Sequence, residues 1–148
     1  MSEFSLGVSF ISLLLALVAF IRAGRNYVEE QRDKLLAQIT ALATEAWQRD
    51  SELVAVEHLH AGASEEIQRS SHDVLASTRI LREALRTQIG EFDSRFEAVT
   101  GARGLSARAL FIRQRIDMYR QTPLLAAQNR DVAEHIFRST KRLDAAGS

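Results

Sequence analysis

The feature that most constrains this chain is an apolar run near its N-terminus, from Phe4 to Ile21, which reads FSLGVSFISLLLALVAFI. The run has eighteen residues and no charge. An α-helix rises about 1.5 Å per residue, so the run reaches roughly 27 Å, close to the ~30 Å hydrocarbon core of a bilayer. Because a backbone in lipid must satisfy its own hydrogen bonds, it should be helical. The sequence therefore predicts a transmembrane anchor over residues 1–25.

Two other interpretations fit the run less well. A cleaved signal peptide starts with basic residues and ends in a small-residue cleavage site. Here Glu3 precedes the run and Arg22 follows it at once. A buried core helix needs apolar partners on every side, which the polar remainder of the chain does not supply. We therefore expect an uncleaved single-pass anchor, with the lipid bilayer as one partner.

Positive charge sets the expected orientation of this anchor. Arg22 and Arg25 follow the run, and no basic residue precedes it. The positive-inside rule then places the C-terminal domain in the cytoplasm and the short N-terminus outside the inner (cytoplasmic) membrane.

Small residues form a stripe along the predicted span, at alternating spacings of three and four. Such stripes let helices approach closely, and serines can hydrogen-bond across the interface. The stripe predicts self-association or docking on another membrane or cytoplasmic protein; the alternative is that Ser and Ala are simply common in spans. Its members are Ser5, Ser9, Ser12, Ala16, Ala19 and Ala23.

The remainder of the chain predicts an all-α fold. One proline, seven glycines and no cysteine among 148 residues favour long helices and exclude disulfides. We expect residues 26–100 to form a helical hairpin or coiled coil, with a first helix continuing the anchor to His60 and a second from Ser64 to Val99. A self-paired first helix is the alternative. The seam of the second helix is predicted at Ile67, Val74, Leu81, Leu85, Ile89, Phe92, Phe96 and Val99. Trp47 is predicted to be a packing residue of the first helix rather than an anchor at the membrane interface.

Residues 101–148 are predicted to form a shorter helix pair. Ser106 would cap a helix ending near Gln121, with apolar residues on two faces. Thr122 and Pro123 form a strong start signal for a further helix to about Leu143.

Charge divides the body into two halves. From Glu29 to Glu97 there are 8 basic and 14 acidic residues, and from Arg103 to Arg142 there are 9 basic and 3 acidic. One interpretation is attraction between the halves, within a chain or between copies. The other is a surface that binds an anionic ligand or a partner, at Arg103, Arg108, Arg113, Arg115 and Arg120. Because the whole chain has no net charge, specific DNA binding is not expected.

Motifs for catalysis are missing from the sequence. It contains no GxxxxGK[ST], GxSxG or HExxH pattern. We therefore expect no enzyme activity, no cofactor and no metal. The leading hypothesis is a membrane-anchored helical scaffold or adaptor that homo-oligomerises and presents a basic helical module to a partner. The alternatives are a membrane effector or sensor gated by an anionic ligand, and an accessory subunit of a larger membrane complex.

Overall fold

The computed structural model describes residues 2–147, with side chains for residues 12–104 and 106–146. This part of the chain folds into four helices, α1 (Ser2–Gly62), α2 (Glu65–Ser70), α3 (His72–Gly101) and α4 (Gly104–Gly147), and contains no strand. The predicted all-α fold is confirmed.

The three long helices form a bundle. α3 folds back antiparallel to α1, so that Arg82 of α3 reaches Asp50 of α1. α4 returns along α1 in the same direction as α1, so that Arg115 lies beside Gln31. Hence the chain pairs α1 with α3 as a hairpin, and α4 packs across both helices.

Apolar side chains fill the space between these helices in three successive layers. The first lies between the middle of α1, the end of α3 and the start of α4, and the last lies beside α2. The layers contain Leu35, Ile39, Phe92, Val99, Ala107, Phe111 and Met118; then Ala46, Leu53, Leu85, Ile89 and Val132; then Val56, Val74 and Leu143.

Most of the seam predicted on α3 turns towards this core. Val74, Leu85, Ile89, Phe92 and Val99 are buried, and Ile67 and Leu81 are half-buried. Phe96 is the exception, with 40% of its surface exposed. The face of a straight helix rotates gradually relative to a seven-residue repeat. Near the end of α3 this rotation turns Arg95, rather than Phe96, towards the core, and Arg95 is half-buried.

The second predicted helix is interrupted at Ser71, a break that the apolar spacing does not predict. Ser71 has φ −116° and ψ 20°, and its hydroxyl donates to the carbonyl of Ile67 at 2.5 Å. Ser70 donates to the same carbonyl at 3.0 Å. Serine hydroxyls that bond nearby carbonyls compete with the helical backbone, and α2 therefore ends before α3 begins.

The predicted C-terminal helix pair is wrong, because α4 is one continuous helix with Pro123 inside it. Proline lacks the N–H that would bond the carbonyl of Tyr119. Pro123 lies on the exposed side of α4 and Tyr119 is 82% exposed, so water can reach that carbonyl. The Thr122 hydroxyl bonds the carbonyl of Met118 at 2.9 Å instead of capping a new helix.

Trp47 is also placed differently from the prediction. It lies on α1 with 55% of its surface exposed, whereas its neighbour Ala46 is buried. The tryptophan is therefore not an interior packing residue of this chain.

The structure contradicts the predicted single-pass location in the inner membrane. Among the residues that it describes, no helix has a stretch long and apolar enough to cross a bilayer. Every side chain from Ser12 to Ala23, including Ala16 and Ala19 of the predicted stripe, is exposed. Ser5 and Ser9 lie outside the residues whose side chains are described.

Candidate functional site

An apolar stripe is exposed on α4. Ile112, Ile116 and Tyr119 are 61%, 47% and 82% exposed. Their spacings of four and three put them on one face of the helix, and Phe111 and Met118, on the opposite face, are buried in the core. Therefore α4 has two apolar faces, of which the chain itself covers one.

Two arginines border the exposed stripe. Arg115 and Arg120 line, with the stripe and Gln38 of α1, a groove of about 590 Å³ between α1 and α4. Arg115 donates to the amide oxygen of Gln31 at 3.0 Å. Arg120 forms no ion pair with any residue that the structure describes. The groove is thus apolar at its centre and basic at its edges.

The acidic and basic halves of the chain are scarcely paired with each other. Between the arginine-rich segment 103–142 and the acidic segment 29–97, the described residues form one ion pair, from Arg142 to Asp73 at 2.8 Å. This hydrogen bond lowers the pKa of Asp73. Arg138 pairs within α4, with Glu134. Most of the charge asymmetry is therefore not neutralised inside one copy.

An acidic patch lies near the end of α3, formed by Asp93 and Glu97, which are four residues apart and share one face of the helix. Both are exposed, and neither forms an ion pair with a described residue. The C-terminal end of a helix carries partial negative charge, so carboxylates are locally unfavourable there. No basic residue in the last turn of α3 offsets them. The helix itself gains nothing from this acidic patch.

The structure divides the five predicted arginines among three places. Arg115 and Arg120 line the groove. Arg113 lies on another side of α4, against the end of α3 beside Ala98 and Gly101. Arg103 and Arg108 lie at the start of α4, where they line a cavity together with residues of α1. The five side chains do not form one surface.

Two half-buried polar side chains, Arg82 and His135, link the helices. Arg82 of α3 bonds Asp50 at 2.9 Å and also Glu57, which ties α3 to α1. At the α3–α4 contact, Nε2 of His135 lies 2.8 Å from the hydroxyl of Thr78. Because Thr78 donates its proton to the carbonyl of Val74 at 2.7 Å, Nε2 of His135 is the donor to Thr78. Burial lowers the pKa of His135.

The described part of the chain contains no cluster of metal-binding side chains. No group of three His, Asp or Glu side chains there could hold a metal ion. His60 is buried with its Nε2 unpartnered, and it forms no cluster of this kind.

Both apolar faces of α4 are predicted from the sequence, but no partner is predicted for the face with Ile112, Ile116 and Tyr119. The role of Arg32, which the fold brings to the same cavity as Arg103, is not predicted. The signal for the first was present in the sequence, since one helix with two apolar faces needs two partners. No local pattern signals the second, because about 70 residues separate the two arginines.

No protein-family model matches this chain, and neither a curated protein nor a solved structure matches it.

Proposed function

We propose that this protein is a non-catalytic helical scaffold that associates with further copies of itself through the groove beside Tyr119, and that its assembled form presents the basic helix α4 to partners. The observation that carries the proposal is the exposed stripe of Ile112, Ile116 and Tyr119 bordered by Arg115 and Arg120. Scattered exposed apolar residues need no explanation, but a continuous stripe within a groove is typical of an interaction site.

Charge complementarity favours a second copy as the occupant of this groove. The groove is basic at its edges, and the acidic patch of Asp93 and Glu97 is exposed and forms no ion pair with a described residue. Complementary charged surfaces steer association and suppress wrong partners. A scaffold that carries both surfaces on every copy supplies its own partner.

Association gives such a chain a function without catalysis. Repeated weak contacts on one assembly raise the effective concentration of each α4 surface, so a partner bound by several copies is held more tightly than by one. Arg113 and Arg130 are exposed outside the groove and remain accessible to such a partner in the assembly.

The stripe is tested by replacing Ile116 and Tyr119 with serine and measuring the molecular mass by sedimentation equilibrium. The wild type should exceed the monomer mass, and Ile116→Ser/Tyr119→Ser should sediment as a monomer. The matched control is Leu59→Ser, because Leu59 on α1 is 44% exposed and Ile116 is 47% exposed. The control should keep the wild-type mass. The proposal would be wrong if the wild type were a monomer, or if Leu59→Ser lost as much mass as Ile116→Ser/Tyr119→Ser.

A further inference from the structure

An arginine-lined cavity lies where α4 begins beside α1, away from the groove. Its volume is about 710 Å³. Four arginines and one carboxylate surround it, together with the apolar side chains of Phe20, Ile21 and Val28. The charged members are Arg25, Glu29, Arg32, Arg103 and Arg108. The charges of these five side chains sum to +3.

Three of these arginines are held by backbone carbonyls rather than by carboxylates. Arg32 donates to the carbonyl of Ala102 at 2.7 Å, and Arg108 donates to that of Gly24 at 3.3 Å. Arg103 donates to the carbonyls of Thr100 and Ala102 at 3.0 and 3.2 Å. Carbonyl bonds fix the position of a guanidinium without neutralising it, and each guanidinium has five N–H groups. Donors therefore remain for an anion.

Arg32 also has a buried donor without a partner. Its Nε forms no hydrogen bond in the described structure, and its guanidinium lies 5.8 Å from the centre of the Phe111 ring. An unsatisfied buried donor costs free energy. Among the described residues that line the cavity, Glu29 is the one carboxylate; it lies 3.8 Å from Nε of Arg25 and leaves the other three arginines uncompensated.

The cavity opens onto apolar side chains. Phe20 is 77% exposed and Ile21 is 60% exposed, one turn before Gly24. An inorganic anion would use the arginines alone, whereas an anion with an apolar substituent would cover both kinds of surface. Gly104 has φ +64°, which lets α4 start close to the cavity and which a side chain would strain.

From this arrangement we infer that the cavity is a binding site for a phosphate monoester with an apolar substituent. The phosphate binds Arg32, Arg103 and Arg108, and the substituent lies against Phe20, Ile21 and Val28. Arginine matches phosphate oxygens with paired N–H groups, which gives charge-assisted hydrogen bonds. This inference is independent of self-association, because none of these residues lines the groove.

The test is calorimetric titration of the full chain with three probes: n-octyl phosphate, inorganic phosphate and n-octyltrimethylammonium. Octyl phosphate should bind with one site per chain, inorganic phosphate more weakly, and the cation not at all. Equal affinity for the two phosphates would overturn the apolar part of the site. Equal binding of the cation would show nonspecific apolar adsorption and overturn the site as a whole.

Variants locate the binding. Arg103→Gln/Arg108→Gln should weaken octyl phosphate binding by at least about tenfold, since two charge-assisted hydrogen bonds are lost. The control Arg69→Gln/Arg79→Gln removes the same charge from exposed positions on α2 and α3, outside the cavity and the groove, and should leave affinity unchanged. If the double variant and the control lost affinity for octyl phosphate equally, the effect would be one of net charge, and the inference would be contradicted. If the double variant melts at a lower temperature by circular dichroism, Arg103→Gln alone carries the test, because its bonds are local.

Discussion

Arg82 of α3 donates a hydrogen bond to Asp50 of α1 at 2.9 Å, and both side chains are largely withdrawn from water, with exposed fractions of 16% and 7%. The same guanidinium also reaches Glu57, and Arg86 lies 3.9 Å from the other oxygen of Asp50. The hydrogen bond to Asp50 is the largest influence that raises the pKa of Arg82. Arg82 thus contacts Asp50 and Glu57, two carboxylates seven residues apart on the side of α1 that faces α3.

Removing Asp50 should therefore destabilise the hairpin. Asp50→Ala leaves Arg82 in a partly buried position with one carboxylate fewer, and breaking such a pair costs about 2–4 kcal/mol. Urea unfolding followed by circular dichroism measures this loss. The control is Glu65→Ala, whose partner Arg69 is 80% exposed, and the expected change is below about 1 kcal/mol. Equal effects at the two sites would show that the buried network adds nothing.

Stability should depend on pH through His135. Burial lowers the pKa of this histidine in the folded chain, so the unfolded chain binds more protons at mildly acidic pH. Neutral His135 makes its full contribution to the free energy of unfolding above the pKa of the unfolded chain, near 6.5 for histidine. This contribution is lost as the pH falls through that value towards the lower pKa of the folded chain.

The measurement is the urea midpoint at pH 7.5 and at pH 5.5. The wild type should lose more stability on acidification than His135→Gln, which keeps a hydrogen-bond donor near Thr78 and does not titrate. The control His72→Gln changes an exposed histidine and should retain the wild-type dependence. An unaltered slope in His135→Gln would contradict the assignment.

Pro123 should cost α4 stability. Proline in a helix interior is less favourable than alanine by about 3 kcal/mol. Proline also lowers the conformational entropy of the unfolded chain, which offsets about 0.4–1 kcal/mol of this cost. Because Pro123 lies on the exposed side and water can reach the freed carbonyl, Pro123→Ala should raise the free energy of unfolding by about 1–2 kcal/mol. The exposed Arg130→Ala should change it by less than about 0.5 kcal/mol. A destabilised Pro123→Ala would mean that the proline is needed where it stands.

The sequence predicted the parts of the fold that depend on local pattern. The apolar spacing of Val74, Leu85, Ile89 and Val99 was sufficient to identify the inner face of α3, since a helix that packs on one side repeats its apolar residues every three or four positions. The continuity of α4 was not predictable in this way. The Thr122-Pro123 pair has the chemistry of a helix start, and only the exposure of that turn in the folded chain makes an interior proline tolerable.

The groove beside Tyr119 and the arginine-lined cavity also differ in how far the sequence predicts them. Tyr119 belonged to a recognisable apolar face, but its exposure depends on how many helices the chain supplies to cover α4. Arg108 and Gly24 are 84 residues apart in the sequence, and their contact depends on the direction of α4 relative to α1. Sequence patterns constrain faces of helices, whereas sites between helices require their relative placement.

The basic groove of one copy should bind the acidic patch of another, and complementary charge reversal tests this association most directly. One variant, Arg115→Glu/Arg120→Glu, makes the groove acidic; the other, Asp93→Arg/Glu97→Arg, makes the patch basic. Like charges then face each other in either variant alone, so each should sediment as a monomer. An equimolar mixture has opposite charges at both contacts and should recover the wild-type mass. A mixture that stays monomeric, or a variant that keeps the wild-type mass alone, would contradict the account.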